Sequence, residues 1–262
     1  MKNNVLNKKS ESAIVDFFDS AASRRNSFFS DNKIVGYEQK MRAKAVLELV
    51  GIQPKDFVLD LGCANGRDLI ELSNRNFTNF LGVDISPEMI SEAKKELVLR
   101  KIDEKKVMVG DATNLEFADS TFDKVIASEM IEHIPDYKKA IAEIHRVLKN
   151  NGCLIITTPN RRSWYGLDNF IYRLILNIFK KSSVHPYDEW KSFSELKESL
   201  ERAGFELLEV KGACYIPGFL FLYRAPNAIK KVVIFLVSKI EPGMSRLFSK
   251  NGYMLCVKAK KI

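Results

Sequence analysis

From residue 57 onward, short runs of consecutive apolar residues alternate with longer stretches whose apolar positions recur every three to four residues. Unbroken apolar runs mark strands buried on both faces, and the longer period marks helices packed against them. The runs FVLDLG (57–62), NFLGVDI (79–85), KVMVGDA (106–112), FDKVIAS (122–128) and CLIITTPN (153–160) predict five strands. Between them RDLIELSNR, SPEMISEAKKELVLRK and DYKKAIAEIHRVLKNNG predict helices. The second is capped by Ser86 with Pro87 at its first position, and the third is stopped by Gly152. Strand–helix alternation of this kind means an α/β fold, a doubly wound and mostly parallel sheet covered on both sides.

The flanks follow other patterns. Residues 1–50 are polar and helical, and end in YEQKMRAKAVLELVG, where Met41, Ala45, Leu47 and Leu49 form an apolar face and Gly51 stops the helix. After Asn160 the alternation lapses over 161–193, resumes with the helix SELKESLERAG and the strand FELLEVKGACYI, then passes through an apolar stretch at 216–248 to a last strand, GYMLCVKAKK. We therefore expect a helical cap (1–50) on one domain (51–262), with an inserted helical lid at 161–193 and an apolar segment at 216–248.

Composition narrows the class. The 262 residues are 46% hydrophobic and 28% charged, which suits a globular chain rather than a disordered or fibrous one. A net charge of +8 suggests an anionic surface as partner, or simply a lysine-rich protein. Cys63, Cys153, Cys214 and Cys256 stand singly in apolar runs, as reduced thiols of a cytoplasmic protein do. The N-terminus has no signal-like apolar core, and the longest uncharged apolar run, VVIFLV, is far short of a membrane span.

The candidate chemistry sits at the strand ends. LDLGCANGRDL sets Asp60, Gly62, Ala64 and Gly66 where the first strand turns into a helix, the point at which open parallel sheets bind ligands. The spacing is G-x-A-x-G, not the G-x-G-x-x-G of nicotinamide enzymes. Asp84 closes the second strand 22 residues after Gly62, where a carboxylate can accept both hydroxyls of a ribose, and Asp111 follows the third. Each alone could be a helix cap. Three acids at successive strand ends suit a cationic cofactor without phosphate. SEMIEHIP (128–135) adds Glu129, Glu132 and His133, which share one face if the segment is helical. They could bind Mg²⁺, Mn²⁺ or Zn²⁺, or His133 could act as a base or only pack. His145, on a sheet-covering helix, is expected to be structural.

VLDLGCANG, GVDIS, GDA, FDKVIASEMIEHI and EIHRVLKNNGCLIITTPN together resemble the successive motifs of class I S-adenosylmethionine-dependent methyltransferases. Ala64 departs from the family's usual glycine. The resemblance implies a Rossmann-like seven-stranded sheet and S-adenosylmethionine as cofactor. It sets Gly62 and Gly66 at the methionine part, Asp84 with Ile85 at the ribose, Asp111 with Ala112 at the adenine and Ser128 beside the sulfonium. Arg42 matches a position that helps hold the cofactor, though a surface arginine is the alternative. The string E-x-x-E-H resembles two branches, the ubiquinone-pathway catechol O-methyltransferases and the enzymes that methylate small-RNA ends. Both are associated with a divalent cation there, and His185 would be its fourth ligand. Without metal, His133 is the general base, with Glu132 beside it.

The insertion helix LDNFIYRLILNIFKK is amphipathic, with Phe170, Ile171, Leu174, Ile175 and Ile178 on one face, as in helices that lie on membranes or in lids packed on a domain. AIKKVVIFLVSKI is a second lysine-flanked apolar stretch. The expected function is O-methylation of a hydrophobic, hydroxylated acceptor, such as a polyprenyl catechol or another lipid-linked molecule, by a cytoplasmic enzyme peripheral to the anionic inner membrane surface. The alternatives are a small-molecule or glycan methyltransferase of a biosynthetic cluster, and an RNA-end 2′-O-methyltransferase. Nucleic acid fits less well, since the insertion is aliphatic rather than basic and aromatic.

Overall fold

The computed structural model describes residues 12–22, 33–163, 166, 170, 187–215, 222 and 225–262. Seven strands form one sheet: Val58–Leu61 (β1), Phe80–Asp84 (β2), Val107–Val109 (β3), Phe122–Ser128 (β4), Leu148–Pro159 (β5), Phe205–Ala213 (β6) and Met254–Lys261 (β7). Their order is β3-β2-β1-β4-β5-β7-β6. Pairs from β3 to β5 are parallel, and β7 runs antiparallel between β5 and β6. The α/β, doubly wound, mostly parallel architecture is the expected one. Its order reverses between β1 and β4, so the loops leaving these two strands diverge and open a crevice at their carboxyl ends.

The described helices are residues 12–22 (α1), Lys33–Val50 (α2), Arg67–Ser73 (α3), Pro87–Leu99 (α4), Tyr137–Val147 (α5), Phe193–Arg202 (α6) and Asn227–Leu247 (α7). Strand alternation splits the core into two layers. Leu59, Leu61, Val125 and Ala127 face one side, with Ile141 and Ile144 of α5 and Leu196 and Leu200 of α6. Val58 and Ile126 face the other, with Val46 and Leu49 of α2, Leu69 of α3 and Leu97 of α4. Ser86 caps α4 by accepting from the Met89 N–H at 3.1 Å, and α2 ends at Val50 with Gly51 at φ 54, both as the sequence predicts.

Three boundaries differ from expectation. Gly152 does not stop a helix: α5 ends at Val147, and residues 149–152 bulge between the pairs Phe122↔Leu148 and Lys124↔Cys153. A Cβ at Gly152 would meet the Lys149 carbonyl at 2.8 Å and that of Asp123 at 3.0 Å, so the glycine permits a tight backbone crossing. β3 is only three residues long, because Gly110 and Asp111 leave the ladder for a turn in which Asp111 bridges Asn114. The apolar stretch after β6 is largely one helix, α7. The insertion falls mostly outside the described residues, and with it His185 and the amphipathic face except Phe170, which is exposed.

α7 is fastened by a buried acid. Glu241 accepts from the N–H groups of Cys214 at 2.6 Å and Tyr215 at 3.2 Å, and from the Tyr37 hydroxyl at 3.4 Å. Beside it Val237 packs with Ile34, Tyr37 and Cys214. No described helix is long and apolar enough to cross a membrane. Replacing Glu241 by alanine leaves two backbone donors without their acceptor, and should cost about 2–4 kcal/mol of unfolding free energy in denaturant titrations.

Candidate active site

A cavity of about 980 Å³ lies at the carboxyl ends of β1, β2 and β4. It opens where it does because Gly62, at φ 76, turns the chain sharply after β1: a Cβ there would stand 3.0 Å from the Met130 side chain. The Gly62 and Cys63 N–H groups both donate to the Val83 carbonyl, which clamps the loop onto β2. Ala64 takes φ 47 without being glycine, and its N–H donates to Asp84 Oδ2 at 2.9 Å. Gly66, at φ 77, starts α3 and is not part of the cavity wall.

The other expected cofactor residues line this one cavity. Asp84 and Ile85 stand at the end of β2, Asp111 and Ala112 after β3, and Ser128 at the end of β4. Asp84 Oδ1 also accepts from the Ser86 N–H, and the two Asp111 oxygens accept from the N–H and hydroxyl of Thr113. Arg42 is buried on α2 rather than on the surface. It donates to Ser128 Oγ at 2.6 Å and lies 3.6 Å from Asp68. Burial alone would lower its pKa, but Asp68, Glu129 and Asp60 outweigh it and raise it.

Asp60 is 2% exposed, and its Oδ2 has no hydrogen-bond partner among the described residues. Burial first, then Asp68, holds its carboxyl well above the usual range, against the pull of Arg42. An unpaired buried carboxyl oxygen in the wall of a cavity is what an ammonium-bearing ligand would satisfy. The methionine part of S-adenosylmethionine carries such a group, and the residues present fit it.

The E-x-x-E-H segment is not the helical turn that its spacing suggests. Glu129 has φ 55, and only Ile131–His133 form a single 3-10 turn. Glu129 Oε1 accepts from Thr157 Oγ1 at 3.4 Å, and Glu132 Oε2 accepts from Thr158 Oγ1 at 3.1 Å. Among the described residues no three His, Cys, Asp or Glu side chains are grouped to hold a metal ion. Of the expected metal set, Glu129, Glu132 and His133 line the cavity and the fourth member, His185, lies outside the described residues.

The segment sets Glu129, Glu132 and His133 side by side in the cavity wall. His133 Nδ1 lies 3.1 Å from the Tyr187 carbonyl, which can only accept, so Nδ1 is the donor, and in the neutral ring the lone pair is on Nε2. Nε2 is 4.0 Å from Glu132 Oε1. Burial, with Asp188 nearby, pushes Glu132 up to about 8, and burial and Glu132 raise Glu129 in the same direction. His145 packs against Phe205 at 5.2 Å and is not in the cavity wall.

Sequence reasoning missed several wall residues. Ile14, Phe17 and Phe18 reach the cavity from α1, with the Phe18 ring edge-on to His133 at 5.3 Å. Asp19 accepts from Ser86 Oγ and from the Glu88 N–H, pinning α1 to the start of α4. The only trace in the sequence is the apolar cluster in AIVDFF. Asp188 and Trp190 also line the cavity, and Asp68, six residues after Gly62, was legible only as a helix residue.

Residues 52–204 match the methyltransferase domain family, and the chain belongs to that family as an S-adenosylmethionine-dependent methyltransferase. Among curated proteins it is 28% identical over 196 residues to a demethylmenaquinone methyltransferase of Alkalihalophilus pseudofirmus, covering 69% of this chain and 83% of that one. It is 29% identical to the enzyme of that name from Staphylococcus aureus, covering 69% and 80%. Among solved structures, an S-adenosylmethionine-dependent methyltransferase of Thermotoga maritima superimposes with a TM-score of 0.68 at 21% identity, covering 95% and 100%.

A buried acid with a raised pKa binds its proton more tightly folded than unfolded, so its contribution to stability falls as pH rises from about 4.5 to about 8. Glu132→Gln escapes this loss. Its unfolding free energy should rise relative to wild type by up to about 1.4 kcal/mol per pH unit across that window, measured by denaturant titration at several pH values.

Proposed function

We propose that the protein transfers the methyl group of S-adenosylmethionine to the oxygen of a hydrophobic, hydroxylated acceptor of the lipid-linked quinol class. The observation that carries this reading is the His133 ring in the wall of the cavity that holds the cofactor residues, with its Nδ1 on the Tyr187 carbonyl so that the neutral ring would accept through Nε2. The names of the demethylmenaquinone relatives support the acceptor class.

S-adenosylmethionine supplies a methyl group on a positively charged sulfur, a leaving group that needs no proton. The chain does the rest. Asp60 takes the ammonium and Asp84 the ribose, while the small loop residues let the backbone approach. Phe17, Phe18 and Met130 present apolar surface to the acceptor and exclude water. His133 Nε2 accepts the hydroxyl proton, and the Glu132 carboxyl 4.0 Å away steadies the imidazolium when ionised. An ionised quinol is nucleophilic at oxygen and at the adjacent ring carbon, so the position of the methyl group in the product tests the assignment to oxygen. With its +8 charge the protein works at the cytoplasmic face of an anionic membrane, where such acceptors reside.

The test is methyl transfer to short-chain quinol analogues, with the product located by NMR. Methyl transfer is expected, with kcat about 10²–10³-fold lower in His133→Ala and S-adenosylhomocysteine affinity kept. Asp84→Ala should weaken cofactor binding at least ~tenfold in calorimetric titration. Cofactor binding without transfer to any quinol analogue overturns the acceptor class, and full activity in His133→Ala overturns the base.

A further inference from the structure

α7 carries three stripes. Val233, Ile234 and Val237 pack inward on α2 and the end of β6, with Glu241 turned the same way. A second stripe is bare: Ile229, Val232, Leu236 and Ile240 are each more than half exposed, and Leu247 is 75% exposed. They recur at helical spacing, so they form one continuous ridge rather than scattered contacts. Phe235, 60% exposed, widens it.

The third stripe is cationic. Lys239 and Arg246 flank the ridge, Lys231 lies beyond Phe235, and Lys250 follows the helix; all four are exposed. The one acid of α7, Glu241, is buried against Cys214 and Tyr215. The outer surface of this helix is therefore apolar and positive with no negative charge. Lys239 Nζ stands 5.4 Å from the centre of the Phe235 ring, so the cation lies along the apolar surface at its edge. An anionic bilayer is complementary to both features at once: acyl chains take the ridge and phosphates take the amines. A protein partner would need a matching apolar groove with an acidic rim.

The position of α7 gives the contact a use. The inward stripe shares one cluster with Trp190 and Tyr253, and both of these also line the active-site cavity. Their rings meet at 5.6 Å. These two side chains therefore touch both the helix cluster and the cavity.

We propose that α7 is a membrane-docking helix that seats Ile229, Val232, Phe235, Leu236 and Ile240 in an anionic lipid surface and so brings the cavity to the bilayer. This deepens the lipid-linked acceptor reading and rests on it for its purpose, while the docking itself is tested separately. The experiment is co-sedimentation of the full chain with phosphatidylcholine vesicles and with vesicles of equal parts phosphatidylcholine and phosphatidylglycerol. Wild type, Val232→Asp/Leu236→Asp and Lys231→Glu/Lys239→Glu are compared, and S-adenosylhomocysteine binding serves as the check of folding.

Wild type should bind the anionic vesicles and not the neutral ones, and both double variants should lose at least ~tenfold in partitioning. Their turnover of a soluble short-chain quinol should stay at the wild-type level. Wild-type protein that ignores anionic vesicles overturns the proposal. Folded Val232→Asp/Leu236→Asp protein that still binds them does so too, since another surface is then responsible. A wild-type dimer in light scattering that this variant dissociates, without vesicle binding, assigns the ridge to a second copy of the chain and also overturns it. Vesicle binding by α7 together with no transfer to any quinol upholds the docking helix and overturns only the acceptor reading.

Discussion

Beneath the cofactor loop lies a surplus of buried carboxyl groups over buried cations, and the site is organised around it. Asp60 and Glu132 are buried and Glu129 is half-buried, all three in the cavity wall, and Arg42 is the cation placed among them, bonded to Ser128 and paired with Asp68. One guanidinium stands against three carboxyl groups, and burial raises the proton affinity of all three. A further cation in this space would relieve the excess of negative charge. A ligand bearing an ammonium and a sulfonium answers that demand, and charge thus selects the cofactor before any shape is considered.

The same surplus separates two roles along the wall. Near β1, the unpaired Asp60 oxygen awaits a donor, which is a binding function. Near the turn after β4, Glu132 and His133 stand 4.0 Å apart, within ion-pair but not hydrogen-bond reach, and each is held by another partner, Thr158 and the Tyr187 carbonyl. A base that already has its tautomer set needs little reorganisation when an acceptor arrives. α1 completes the enclosure with Phe17 and Phe18, which makes the acceptor side of the cavity apolar although its floor is charged.

Outside the cavity, α7 reverses the usual economy of a surface helix. It spends its only acid inward, on the amides of Cys214 and Tyr215, and leaves aliphatic side chains in solvent. Scattered exposed apolar residues need no explanation, but a ridge bounded by lysine and arginine on a helix packed against two cavity-lining aromatic residues does. Trp190 and Tyr253 pack against the inner side of this helix and also line the cavity.

Five parallel-sheet strands, their order of appearance, the Ser86 cap and the strand-end acids were legible from local pattern, because buried strands need unbroken apolar runs and helix starts need particular side chains. The glycine loop and Asp84 were legible for the same reason: a sharp turn and a strand-end carboxylate are made within one short segment. Segments whose roles come from distant partners were not. Arg42 belongs to the site only because α2 packs where Ser128 and Asp68 can meet it, and Gly152 serves a crossing with Asp123 rather than a helix end. Periodicity placed Glu129, Glu132 and His133 on one helical face, yet the Glu129 backbone takes φ 55 and its side chain turns to Thr157 on the neighbouring strand. The sequence by itself determined the sheet and the chemistry at its strand ends, since both follow from local spacing and burial. The tertiary structure alone decided which charges share a buried space, because that depends on contacts between segments far apart in the chain.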